Sequence, residues 1–239
     1  MKNNKKAALV TGGARGIGEA ICRALSRDGF YLYIHCNQST DDAAELCEEL
    51  GNAEYIKADL ADPASVAMLA EKCGDAEVLV NNAGVALVSL FDKVSDEDAR
   101  RMYEINLFAP INLARLLVPS MISRKSGAII NISSVFGESG GSCEVDYSAA
   151  KAGIIGFTKA LAKEIGPAGV RVNCVCPGII DTDMNEDLTF EDVEALCDEI
   201  PLQRMGDASE VAECVAFLAS EKARYITGSI FDVNGGWQG

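Results

Sequence analysis

Short apolar, β-rich runs recur along the chain with helical patterns between them, and this alternation narrows the choice of fold more than any other feature. Repeated strand, helix, strand units build a parallel sheet with helices packed on it. Candidate strands are Ala7–Val10, Phe30–His35, Tyr55–Ala58, Val78–Asn81, Ala128–Ser133, Arg171–Val175 and Ser229–Val233, and these seven fit one doubly wound α/β sheet with helices on both faces. Between the first two, Ile17, Ala20, Ile21, Ala24 and Leu25 follow the i, i+3, i+4 spacing of a helix that lays one face on the sheet, and Gly29 ends it. Helices starting near Asp42, Pro63 and Asp96 read the same way. No repeat, low-complexity segment or linker interrupts the pattern, so residues 1–239 are expected to form one domain. The acidic stretch Asp181–Glu199 breaks the alternation after the sixth strand and is the expected lid over a site.

Half of the residues are apolar, enough for a sizeable core. No uninterrupted apolar run reaches the ~18 residues of a membrane span, and the start lacks the long apolar stretch of a signal peptide. A soluble cytoplasmic protein with no membrane partner is therefore expected. The nine cysteines are scattered in helical or strand patterns such as Cys22, Cys47 and Cys214, which reads as reduced core residues rather than a disulfide framework. Cys174 and Cys176 alternate as in a core strand, and no second cluster completes four ligands, so no metal is expected. A formal charge of −15 argues against nucleic-acid phosphates as partners.

Directly after the first strand comes TGGARGIG, with Gly12, Gly16 and Gly18 bounding the turn into the first helix. Small residues there let the backbone approach a pyrophosphate, while the helix N-terminus offers N–H donors and a favourable dipole. A strand before and a helix after satisfy the context test for a dinucleotide site.

Together with NNAG at Asn81–Gly84 and YSAAK at Tyr147–Lys151, this loop makes the chain resemble the short-chain dehydrogenase/reductases from Lys5 to Trp237. The resemblance implies a Rossmann-type sheet of seven parallel strands and a homotetramer. By the same resemblance Asp59 holds the adenine, Asn81 and Gly84 line the adenosine side, and Pro177, Gly178 and Thr182 lie against the nicotinamide end. Ile17, Leu60, Ala83 and Ile180 complete that expected groove. The end of the second strand decides between cofactors, because an acid there would grip the ribose hydroxyls and exclude a 2′-phosphate. The chain has His35, Cys36 and Asn37 instead, and Arg15 in the glycine loop suits a phosphate, so NADP(H) is expected over NAD(H). His35, the only histidine, reads as an ordinary strand-end residue.

Tyr147 and Lys151 stand four apart, on one face of a helix. A nearby ammonium favours tyrosinate, which is expected to lower the tyrosine's pKa from its usual ~10 and bring proton exchange toward neutral pH. Ser134, at the end of the fifth strand, can meet the same substrate oxygen, since ligands of open parallel sheets bind beyond the strands' carboxyl ends. The family's mechanism implies hydride delivery to a carbonyl carbon, Tyr147 as proton donor, Ser134 orienting the oxygen, Lys151 also holding the nicotinamide ribose, and Asn106 positioning a water. Ser133 is set aside because the resemblance places the serine thirteen residues before the tyrosine. A silent NADP-binding regulator would be expected to lose a member of this set, and the chain keeps all four.

Within the family, PGIIDTDM, FLASEKARYITG and DVNGGW resemble the bacterial 3-oxoacyl-acyl-carrier-protein reductases, which implies a 3-oxoacyl thioester on acyl-carrier protein. VALVS stands where those reductases often carry Ile-Thr-Arg-Asp, and GPAG lacks a basic residue for the carrier, leaving Arg124 and Lys125. Alternatively, SGAIINISS, GGSCEVDYSAAK and YLYIHCNQ resemble the reductases that finish a 5-aminopentanol modification on elongation factor P. Glu138, Glu144 and Asp146 flank the catalytic residues, and acids near a pocket suit an ammonium.

Overall fold

The computed structural model describes residues 6–182 and 189–239. Its main sheet has seven strands, all parallel: β1 (Ala7–Val10), β2 (Tyr31–Cys36), β3 (Ala53–Lys57), β4 (Val78–Asn81), β5 (Gly127–Ile132), β6 (Val170–Pro177) and β9 (Ile230–Val233). The order β3-β2-β1-β4-β5-β6-β9 reverses direction between β1 and β4, the switch point at which open α/β sheets leave a crevice. Each of the seven expected strands is present. The largest boundary differences are at β3, which starts two residues earlier, and β6, which runs on to Pro177 because β9 pairs Cys176 with Asp232 and Pro177 with Val233.

Local chemistry sets the helix starts. The helix α1 (Gly16–Arg27) lays Ile21, Cys22, Ala24 and Leu25 on the sheet. The next two are α2 (Thr40–Leu50), ended by Gly51 at φ 67°, and α3 (Pro63–Lys72), whose Asp62 carboxylate accepts the Ala64 and Ser65 N–H groups ahead of a proline already set for a first turn. On one face of the sheet, Ile21 and Leu25 pack with Val211 and Val215 of α8 (Ala208–Ala219) around Val10, Ile34, Val80 and Ile130. The other face buries Leu69 of α3, Leu113 and Leu117 of α5 (Ala109–Arg124), and Ala162 and Ile165 of α6 (Val145–Ile165).

Helix α4 (Asp96–Tyr103) runs through a single π turn, Glu104–Phe108, into α5. The combined helix Asp96–Arg124 is long enough to span a membrane and reaches a mean hydropathy of 1.4 in its most apolar window, yet half of that window is buried inside the protein, as in a core helix. Two short strands that the sequence pattern did not suggest, β7 (Ile180–Asp181) and β8 (Gly206–Asp207), pair in parallel beside the end of β6. Within the expected lid, residues 183–188 lie outside the described residues, and its second half is helix α7 (Phe190–Glu199), started by a Thr189–Asp192 capping box.

Candidate active site

The turn after β1 is built for close approach. Gly12 (φ 61°) and Gly16 (φ 52°) take left-handed backbone that a side chain would strain. A Cβ on Gly18 would sit 1.9 Å from the Gly12 carbonyl oxygen, so only glycine fits where α1 meets the turn. The loop after β4 locks onto this turn. Thr11 Oγ1 accepts the backbone N–H groups of Asn82 and Ala83, both at 3.0 Å, and Asn82 Nδ2 donates to the carbonyls of Thr11 (3.0 Å) and Gly12 (3.1 Å). On the other side, the Gly12 N–H donates to His35 Nδ1 at 3.0 Å, which leaves Nε2–H to donate to Ala58 O at 3.1 Å. Burial pushes the His35 pKa below its usual value and so favours this neutral form. His35, at the end of β2, thus ties the glycine turn to Ala58, the residue that follows β3.

These segments enclose a cleft of about 600 Å³. It is lined by Gly12 and Arg15–Gly18 of the glycine turn, Asn37 after β2, Asp59, Leu60, Ala83 and Gly84, then Ser134, Tyr147 and Lys151, and Pro177, Gly178, Ile180 and Thr182. A Cβ on Gly16 would come within 3.3 Å of Thr182 Cγ2, so the two walls nearly meet there. Two of the expected residues lie behind the lining. Asn81 is buried in β4, donating to Asn131 Oδ1 at 2.8 Å, and its own Oδ1 has no partner. Asn131 passes the bond on to Thr158 Oγ1 at 2.8 Å in α6, so Asn81 braces the floor of the cleft. Asn106, in the π turn, is also buried, with its Nδ2 donating to Val85 O (2.8 Å) and its Oδ1 accepting from Val85 N (2.9 Å). A Cβ on Gly84 would meet both Asn106 Oδ1 (2.9 Å) and Lys151 Nζ (3.4 Å), which places both groups against the loop after β4. Single-turn π insertions of this kind recur at functional sites.

The lining also includes residues that pattern reading passes over. Asn82, the second residue of NNAG, is one of them. Arg101 reaches in from α4 to pair with Asp59 at 3.3 Å, a contact between distant segments with no signal in the sequence. The Ala61 N–H, and then Arg101, hold the Asp59 carboxyl below the usual carboxylate range.

After β5, Ser134 has extended backbone (φ −165°) and its Oγ accepts the Phe136 N–H at 3.2 Å. Ser133 spends its hydroxyl on the Lys151 carbonyl at 2.8 Å, which joins β5 to α6. Lys151 is buried, its Nζ donates to Ile132 O at 3.0 Å, and burial pushes its pKa down to about 8. The Tyr147 phenol moves the other way from the expectation. Burial pushes it up to about 12, opposed by the Ser134 hydroxyl and reinforced by the Glu144 carboxylate. Lys151 does not reverse this, because its Nζ lies 5.5 Å from the centre of the Tyr147 ring and directs a hydrogen bond to the strand. At neutral pH Tyr147 is thus a protonated phenol, able to give a proton rather than take one.

The three acids flanking this end prove different from one another. Asp146 accepts the Tyr103 hydroxyl at 2.9 Å, and Glu138 lies beside Asp232, so that burial and then this neighbouring carboxylate raise its pKa. Glu144, half-buried at the N-cap of α6, acts on Tyr147 through its charge.

A nicotinamide dinucleotide fits this arrangement: glycines stand where a Cβ would fill the approach, and the first turn of α1 has N–H groups without intrahelical acceptors. The profile of the short chain dehydrogenase family matches residues 6–192. The chain belongs to this family. As one of its members it is an NAD(P)-dependent oxidoreductase with the Rossmann-type sheet of its relatives. It is 42% identical over 238 residues to an uncharacterized oxidoreductase, YmfI, of Bacillus subtilis, covering 97% of this chain and 98% of that one. It is 40% identical over 236 residues to the 3-oxoacyl-[acyl-carrier-protein] reductase FabG of Escherichia coli, covering 97% and 96%. Among solved structures, a blue fluorescent protein from a metagenomic library in complex with NADPH superposes with a TM-score of 0.92, 37% identity and full coverage of both chains.

Proposed function

We propose that this short-chain dehydrogenase is an NADPH-dependent ketone reductase whose substrate is a 3-oxoacyl thioester presented by acyl-carrier protein. The observation that carries the reading is that Ser134, Tyr147 and Lys151 line the same cleft as the glycine turn. When bound, the nicotinamide supplies hydride to the carbonyl carbon. The Tyr147 Oη gives its proton to the carbonyl oxygen, a step suited to a phenol that burial keeps protonated. Ser134 Oγ, near enough to the phenol to oppose the rise in its pKa, orients that oxygen. Lys151, held near a pKa of about 8, exchanges protons close to neutral pH and re-supplies the phenol, with Asn106 against the same loop to place a water.

Preference for NADPH over NADH is supported by Arg15 and Asn37 in the lining and by the lack of an acid at His35, Cys36 and Asn37. The thioester is supported by the 40% identity to the Escherichia coli reductase. Exposed Phe108 at the end of the π turn and Leu116 and Ile122 of α5 support the homotetramer that the family resemblance implies. One observation favours the second reading, reduction of the amino-ketone on elongation factor P. Glu144 alone of the three flanking acids is left to act on the catalytic tyrosine, and a carboxylate there suits an ammonium better than a phosphorylated thioester arm.

The test is NADPH oxidation with acetoacetyl-CoA, run beside elongation factor P carrying the amino-ketone. Turnover of the thioester supports the first reading, and turnover of the modified factor alone replaces it with the second. No oxidation with either overturns the proposed activity.

A further inference from the structure

The two halves of the catalytic end come from separate pieces of chain. Asn106 stands in the π turn that continues α4, while Tyr147 and Lys151 stand in the first two turns of α6. Something has to set the distance between them. The Asn106 amide is fixed to Val85, not to α6, and the N-cap of α6, Glu144, makes no side-chain capping bond. Ser148 Oγ holds the Gly141 N–H in the loop that leads into the helix, so it does not reach the π turn either.

Tyr103 and Asp146 do reach across. Tyr103 is the residue before the π turn and lies three before Asn106; Asp146 is the residue before Tyr147. The Tyr103 Oη donates to Asp146 Oδ1 at 2.9 Å, and both residues are half-buried. Among the described residues, no other side-chain hydrogen bond joins α4 or its π turn to the first turn of α6. A bond to a charged acceptor in a partly buried place is stronger than a neutral one and holds geometry more tightly. Burial, and then the bond to Asp146, raises the Tyr103 pKa, so the phenol stays a donor through the working pH range.

We propose that Tyr103 and Asp146 form a positioning pair, which sets the π turn carrying Asn106 against the helix carrying Tyr147 and Lys151, and so keeps the proton-supply path aligned. The inference rests on the reading of Tyr147 as proton donor. It assigns no contact with substrate or cofactor to either residue. It also accounts for an acid beside the catalytic tyrosine that the chemistry itself does not use.

The test is a double-mutant cycle in the full-length protein, with kcat, KM and the NADPH dissociation constant measured separately. Tyr103→Phe is expected to lower kcat about fivefold, the effect of about one lost hydrogen bond, with KM and NADPH affinity within about twofold. Asp146→Ala is expected to give the same loss, and the double variant no more than either alone, since both remove one interaction. Asp146→Asn, whose amide oxygen accepts the same bond, is expected to keep most of kcat. A wild-type kcat in Tyr103→Phe, or losses that multiply in the double variant, would overturn the pair. A lowered melting temperature with kcat intact would reduce it to a structural contact and overturn it equally. If the wild-type protein oxidises NADPH with neither the thioester nor the amino-ketone, the reductase reading itself fails, a result distinct from those.

Discussion

Gly18→Ala is the sharpest perturbation of the cofactor cradle, because the added methyl has nowhere to go. Its Cβ would stand 1.9 Å from the Gly12 carbonyl oxygen and 2.7 Å from Asn82 Nδ2. Reaching ordinary contact requires the turn and α1 to part by more than about 1 Å. Gly12 O is one of the two carbonyls held by Asn82 Nδ2, and the Gly12 N–H is the donor to His35, so three hydrogen bonds of 3.0–3.1 Å are put at risk. At about 0.5–1.5 kcal/mol each, their loss destabilises the fold by roughly 3 kcal/mol. For a chain of this size that is a fall of roughly 6–12 °C in melting temperature. The same displacement moves the first-turn N–H groups of α1, so the NADPH dissociation constant is expected to rise by at least about tenfold, equivalent to ~1.4 kcal/mol. Thermal unfolding followed by circular dichroism, with NADPH fluorescence titration on the same samples, measures both. A variant that melts within about 2 °C of wild type and binds NADPH within about twofold would refute the argument that this carbonyl is held rigidly.

Tyr147→Phe should lower ketone reduction by about 10²-fold or more while leaving NADPH affinity nearly intact, because it removes only the proton donor; unchanged single-turnover rates would end the mechanism. Arg15→Ala should weaken NADPH binding about tenfold and NADH binding far less, so equal losses for both cofactors would remove Arg15 from the 2′-phosphate. Lys151 is charged more readily in the unfolded chain (10.5) than in the fold (about 8), so its contribution to stability is present above about 10.5 and is lost as pH falls toward 8. Lys151→Met should therefore flatten the rise in stability across that window, which urea unfolding at pH 8 and pH 10 would detect; an equally steep rise in the variant would show the lysine is not the cause. Above about pH 10 the raised Tyr147 works in the opposite sense, stabilising below its ordinary value and losing that contribution as pH approaches 12.

The central strands β1, β4, β5 and β6 were legible because each is a short apolar run buried on both faces of a parallel sheet, whereas the edge strands β3 and β9 are only partly buried. The edges were harder to place. β6 extends to Pro177 only because β9, more than fifty residues later, supplies a partner for Cys176 and Pro177. The short pair β7 and β8 escaped notice for the same reason, since two-residue strands have no period to detect.

By itself the sequence determined the glycine turn and the order of the main strands and helices, because these depend on local backbone needs and on spacings within a few residues, while Ser134, Tyr147 and Lys151 stand out only through the family resemblance, the serine thirteen residues before the tyrosine. Only the tertiary structure decided how those groups ionise and what holds them. The i, i+4 spacing placed Lys151 near Tyr147 but could not reveal that burial outweighs the ammonium and keeps the phenol protonated. Nor could it show Asn81 behind the cleft wall, His35 bracing the glycine turn, Arg101 on Asp59, or Tyr103 on Asp146. Solvation and long-range contacts govern those properties, and both arise only when segments far apart in the chain exclude water together.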